Sequence, residues 1–182
     1  MLQIILFVLL ALSLTVQYEV VFPLEAYLLP ASGASVLYLP HGLKAIAVVL
    51  AGYRALLPIF SAHLLAYIIW SVPTPSIVLD AAVSTLVMFI PLVVWNFNRM
   101  SPLFSAIPIV DESKVALFRL VMAVSFVASL FNALLHTLIF TEESTGWLSF
   151  RFIVGDLLGT VAILSLLLLF KSTLVNRLKT DT

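Results

Sequence analysis

The chain has 182 residues, 63% of them hydrophobic and 10% charged, with a mean hydropathy of +1.20. Soluble domains run at roughly 45–50% apolar and about 25% charged, so a water-soluble globule is excluded and lipid is the expected solvent. Nine Lys+Arg balance nine Asp+Glu, which leaves no basic field for nucleic acid, and the lack of cysteine excludes disulfides, thiol nucleophiles and Cys-ligated metal centres.

A spanning helix needs about 20 mostly apolar residues. Six segments approach that length, and they predict an all-α, polytopic membrane helix bundle with residues 1–182 in a single transmembrane domain. Segment 2–21 is apolar until Gln17 and Glu19; with no Lys or Arg before it and no Ala-x-Ala site behind it, it reads as a retained helix rather than a cleaved signal peptide. Phe22 to Tyr38 carries Pro23, Glu25, Pro30 and Gly33 and reads as an outer loop with one interfacial turn at most. Segment 40–52 opens on Pro40-His41-Gly42. It spans only about 18 Å as a helix, so it is either extended by Val36 to Leu39 or packed as a half-helix. Segment 55–70 follows Arg54, and segment 76–96 follows Pro73 and Pro75, which favour a helix start just after them. Segments 114–140 and 147–170 are joined through Thr141 to Gly146, read as a tight outer hairpin.

The Lys/Arg distribution predicts the orientation. With both termini cytoplasmic, the inner side receives Arg54, Arg99, Lys114, Arg119, Lys171, Arg177 and Lys179, and the outer side keeps only Lys44 and Arg151. Those two are then expected at helix rims, snorkelling to headgroups. Trp70 and Trp147 mark the outer interface, Trp95 marks the inner one, and Phe97 to Ser113 forms the one sizeable cytoplasmic loop.

Ionisable groups inside spans are costly and by default face the bundle or a wet cavity. Counted inward from the outer helix ends at ~1.5 Å per residue, Asp80 lies ~6 Å deep, His136 about 6–8 Å, His63 roughly 10 Å and Asp156 ~13 Å. His41 and Lys44 enter from the same side, so the candidate ligand-binding residues Asp156, His63, His136, Asn132, Asp80, His41 and Lys44 gather in one layer of the outer half. Ser125, Ser129, Asn132 and His136 recur at helical spacing and form one polar stripe. In Gly155-Asp156-Leu157-Leu158-Gly159 an acid lies between two glycines in a GxxxG spacing, which lets a neighbouring backbone come close while the carboxylate points inward. Arg151 is about 140° away from Asp156 around the helix, so Lys44, His63 or His136 is the expected partner of that acid. Each of these polar residues has a structural alternative: Asp156 and the stripe can serve as interhelical glue, and Asp80 and His136 lie near enough to the interface for simple hydration. His41, His63 and His136 with a carboxylate have no metal-site spacing, and there is no nucleophile elbow or phosphate loop. No metal, cofactor or enzymatic activity is expected.

Tyr38-Leu39-Pro40-His41-Gly42, the aliphatic run to Leu50, then Gly52-Tyr53-Arg54 and Pro58 resemble the aromatic-x-Pro-x-Gly block of the integral membrane sensor modules that bacteria place ahead of diguanylate cyclases and histidine kinases. The later Gly-Asp-x-x-Gly signature of that family is similar to Gly155 to Gly159. Tyr38 stands where the family tends to have Trp, and His41 where a Pro or small residue is common. The resemblance implies an outer-half sensing unit, built on Pro40, Gly42 and Asp156, that acts through a separate protein partner. Together these readings predict a multi-pass protein of the bacterial inner membrane that holds a small ligand in an outer-half polar cavity. The alternatives are a substrate-capturing subunit of a transporter and a structural subunit of a membrane complex.

Overall fold

Inside an apolar bundle every backbone N–H and C=O must find its partner within the chain, and among the described residues that demand is met by helices, with no strand. A computed structural model of the chain describes residues 1–29, 35–71, 76–99, 114–139 and 146–180, with side chains outside 95–99, 114–116, 136, 137, 139, 146–148 and 171–180. Five stretches are long and apolar enough to cross a membrane: Leu2–Leu28, Leu39–Ile69, Ile77–Val94, Leu117–Leu135 and Ser149–Phe170. The readings placed on Pro30 and Gly33, on Pro73 and Pro75, on Thr141 to Thr145, on most of the Phe97 to Ser113 loop, and on the rings of Trp95, Trp147 and His136 lie outside the described residues.

The first stretch is α1 (Leu2–Val16), a π turn (Gln17–Val21) and α2 (Phe22–Leu28). The loop expected from Phe22 onward is therefore helical as far as Leu28. Pro23 falls in the first turn of α2, where its missing N–H costs little, and the wide turn before it, closed by the Phe22 N–H on the Gln17 carbonyl, makes room for its ring.

The second stretch joins α3 (Leu39–Ala51) to α4 (Leu56–Ile69) through a 3-10 turn (Gly52–Ala55). It is continuous but not straight. Lys44 Nζ lies 3.5 Å from His63 Nε2, whereas 19 residues of straight helix would hold them about 28 Å apart. The chain therefore reverses at Gly52, whose φ of 55° and ψ of −136° suit only a residue without a Cβ. Segments 40–52 and 55–70 are thus two arms of one hairpin, each roughly 20 Å long.

Helix α5 (Ile77–Leu86) starts on Ser76, whose hydroxyl accepts the Leu79 N–H, and α6 (Ile90–Arg99) follows after a break in the expected single segment. Pro91 cannot donate to the Val87 carbonyl. The chain tightens just before it, with Met88 N–H bonding the Thr85 carbonyl and Phe89 N–H bonding that of Leu86. Two long helices complete the bundle, α7 (Lys114–Ile139) and α8 (Gly146–Thr180).

Helix α3 is the hub, packed on α8 and α7 on one side and on α1 on the other, while α4 lies between α1 and α5. Leu10 and Leu14 of α1, Val48 and Val49 of α3, Ile59 and Ala62 of α4, Met88 and Val124 form a continuous apolar core. The ends of α1 and α4 are pinned together, the Tyr18 ring stacking on Trp70 with centroids 4.9 Å apart and the Trp70 indole N–H donating to Glu19.

The closest approach is between α3, with the residues just before it, and α8. A Cβ on Gly42 would stand 2.7 Å from Thr160 Cα, and a Cβ on Gly155 or Gly159 would collide with the Ser35 or Tyr38 carbonyl. These obstacles are backbone and cannot rotate away. Gly159→Ala is expected to lower stability by about 1–3 kcal/mol or more, read as a drop in the thermal unfolding midpoint in detergent. Leu158→Ala, at an exposed position beside it, serves as the control and stays close to wild type.

Candidate functional site

The site begins with a descent of non-helical chain. Residues Val36 to Tyr38 run into the bundle before α3 starts, and such chain is tolerated there only if its polar groups are met. Its N–H groups are all met: Glu25 Oε1 accepts those of Val36 and Leu37, the Gly155 carbonyl accepts that of Tyr38 at 2.9 Å, and Gln17 Oε1 accepts that of Leu39. Gln17, fully buried, uses its amide nitrogen on Ser35 Oγ. Pro40 has no N–H to place, and the His41 N–H turns back on the Tyr38 carbonyl. Helix α3 therefore begins level with Gly155, roughly 14 Å along α8 from Gly146.

That recessed start sets the depth of everything on α3. His41 lies beside Asp156, with Nδ1 3.0 Å from Oδ2 and both side chains buried. The ring N–H direction misses the oxygen, so the contact is an ion-pair approach and not an aligned hydrogen bond. The other ring nitrogen, Nε2, donates to the Ser125 carbonyl of α7 at 3.2 Å. The hydroxyls of Ser125 and Thr160 are 2.7 Å apart, and Thr160 also bonds the Asp156 carbonyl within its own helix. Three helices thus close on one imidazole–carboxylate pair.

One turn further along α3, Lys44 faces the opposite pair of helices. Its ammonium donates to Ser84 Oγ of α5 at 3.0 Å and approaches His63 Nε2 of α4, with the Tyr38 ring 5.5 Å away. His63 Nδ1 donates to the Ile59 carbonyl, so Nε2 is the accepting nitrogen, toward Lys44 and the Tyr38 hydroxyl. Four residues on from His63, Tyr67 hydrogen-bonds Asp80 of α5, one turn from Ser84. Five ionisable side chains, His41, Lys44, His63, Asp80 and Asp156, are each at most 5% exposed.

Two expectations are corrected here. Lys44 is not at a rim: it is 1% exposed, because α3 starts so far down α8 that a residue near its beginning is already in the core. Among the described side chains the partner of Asp156 is His41, and not Lys44 or His63; the ring of His136 lies outside the described residues. The glycine contact sets the first turn of α3 against Asp156, while Lys44 and His63 are turned toward each other and α5. On α7, Ser125, Ser129 and Asn132 are buried as one stripe, and Ser129 Oγ reaches the Ile153 carbonyl. Gln17, Glu25, Ser84 and Thr160 complete the site, and the only sequence signal for them is a polar letter inside or beside an apolar run. Among the described residues no group of three His, Cys, Asp or Glu is placed to hold a metal ion.

The blocks Tyr38 to Gly42 and Gly155 to Gly159, distant in sequence, form this contact together. Compared with known proteins, the chain matches no family model, no curated relative and no solved structure.

Removing His41 would strand a buried carboxylate. His41→Ala is expected to cost about 3–5 kcal/mol, whereas Ser125→Ala, which spares the carbonyl that His41 uses, costs about 0.5–1.5 kcal/mol. Unfolding midpoints of the two variants in lipid nanodiscs test the difference.

Proposed function

We propose that the chain is a six-span module of the bacterial inner membrane, with both termini cytoplasmic, that binds a small polar ligand in its outer half and passes the resulting change to a separate protein partner. Neither arm of the α3–α4 hairpin exceeds roughly 21 Å, so each crosses a thinned or recessed part of the bilayer, and the tip at Arg54 lies on the cytoplasmic side with most of the Lys and Arg residues. The observation that carries the reading is the gathering of five buried ionisable side chains from α3, α4, α5 and α8 into adjoining contacts. Side chains of this kind are rare inside membranes and mark binding sites or relays. The likeness of its two blocks to bacterial sensor modules agrees with this role. In the mechanism, ligand contact with the polar cluster alters packing at Gly155 and Gly159, and the change reaches the basic cytoplasmic face along α8.

The test is thermal unfolding of the purified protein in nanodiscs against amino acids, organic acids and polyamines. A compound at a hundred times its Kd stabilises the folded state by about 2.7 kcal/mol, and Asp156→Asn is expected to abolish that gain while an exposed change such as Leu168→Ala keeps it. Accumulation of the compound inside vesicles would instead make the chain a transport component. No stabilisation by any compound, with Asp156→Asn failing only in assembly with a partner, would make it a structural subunit.

A further inference from the structure

Helix α8 carries an arginine that the polar cluster does not use. Arg151 is the third residue of the apolar stretch Ser149–Phe170. It lies one turn from Gly155 on the same face of the helix, on the side where Ser35 and Val36 descend against α8. From Asp156 it is about 140° away around the helix and roughly 7.5 Å along it, so the two side chains leave different sides of α8. As a residue Arg151 is only half-buried, yet its Nε and Nη2 are both sealed from solvent, and neither has a hydrogen-bond partner among the described residues.

These two nitrogens form one edge of the guanidinium. Their N–H bonds run parallel and fit two oxygens of a single carboxylate or phosphate. Arginine offers donors only and keeps its charge at every working pH, so it cannot relieve burial by giving up a proton as a lysine or histidine can. A sealed cation with an unpaired donor edge is costly. The groups around it are turned elsewhere: Glu25 Oε1 holds the Val36 and Leu37 amides, Asp156 faces His41, and the Ser35 carbonyl lies against Gly155 and not on the fork.

We infer that the Nε–Nη2 edge of Arg151 is the receiving half of an oxyanion site near the Gly146 end of α8, taking a phosphate or carboxylate group through two parallel hydrogen bonds. Arg151 stands only about 3 Å inside the apolar stretch, a depth that a lipid phosphate and a water-borne anion can both reach. Because the edge is sealed, the entering group displaces its cover, and a half-buried side chain allows this by a change of rotamer. The inference goes beyond the small-ligand reading and uses none of the clustered residues that carry it, so either can fail while the other stands.

The experiment is solid-state NMR of the full chain carrying Arg54→Lys, Arg99→Lys, Arg119→Lys and Arg177→Lys together, so that Arg151 supplies the only arginine signal. With its arginine nitrogens labelled, the protein is placed in galactolipid vesicles with inorganic phosphate, in the same vesicles with carboxyl-labelled succinate, and in phosphatidylglycerol vesicles in phosphate-free buffer. All three contain about 0.5 M sodium chloride, which screens exposed charge pairs and leaves sealed ones much less affected. Magnetisation is expected to pass between the Nε–Nη2 edge and phosphorus or the labelled carboxyl carbon, and the arm that shows it separates a lipid headgroup from a free anion. No transfer to that edge in any arm would overturn the proposal. The second measurement compares binding of the responding probe by the unaltered chain and by Arg151→Lys, which keeps the charge and loses the fork. Affinity is expected to fall by about tenfold or more; an undiminished affinity in that variant, or no binding of any probe by the unaltered chain, would equally refute the site.

Discussion

The backbone contact between the start of α3 and the middle of α8 governs the rest of the site. Glycine at 42, 155 and 159 lets the two chains meet with no side chain between them, and this brings His41 within 3.0 Å of Asp156. The same contact supplies the Gly155 carbonyl that accepts the Tyr38 N–H, so a stretch of non-helical chain can end deep in the bundle without an orphaned amide.

From this anchor α3 connects two groups of helices. His41 points toward α7 and α8, and Lys44, three residues later, points toward α4 and α5. Each ionisable group meets partners from a different helix, which is how an apolar bundle holds costly side chains without isolated charge. The apolar core alone would leave the helices free to slide; the imidazole and ammonium contacts set which turn of α3 meets which turn of its neighbours.

The fold class was legible because apolar runs of spanning length are hard to mistake, and Asp156 was legible because the glycines around it belong to one local pattern. The register between helices was not. Counting depth from each helix end assumes that all helices begin at the same plane, whereas α3 begins level with Gly155; this displaced Lys44 to a rim and hid His41 as the partner of Asp156. Pro23 and Pro91 show a related ambiguity. Each marks an irregularity, but whether the chain ends, widens or tightens there depends on neighbours: after Gln17 the helix widens and continues, and before Pro91 it tightens and breaks.

The π turn at Gln17–Val21 contains one residue more than an α turn needs. Taking that residue out would restore regular periodicity and rotate α2 by about 100° about its axis. Gln17, on the α1 side, would still hold the Leu39 amide, but Glu25 would swing away from the Val36 and Leu37 amides it now caps. The surplus residue therefore acts as a phase setting. It lets one helix present its lower part to the core in one rotational register and its upper part, in another, to the chain that descends into the bundle.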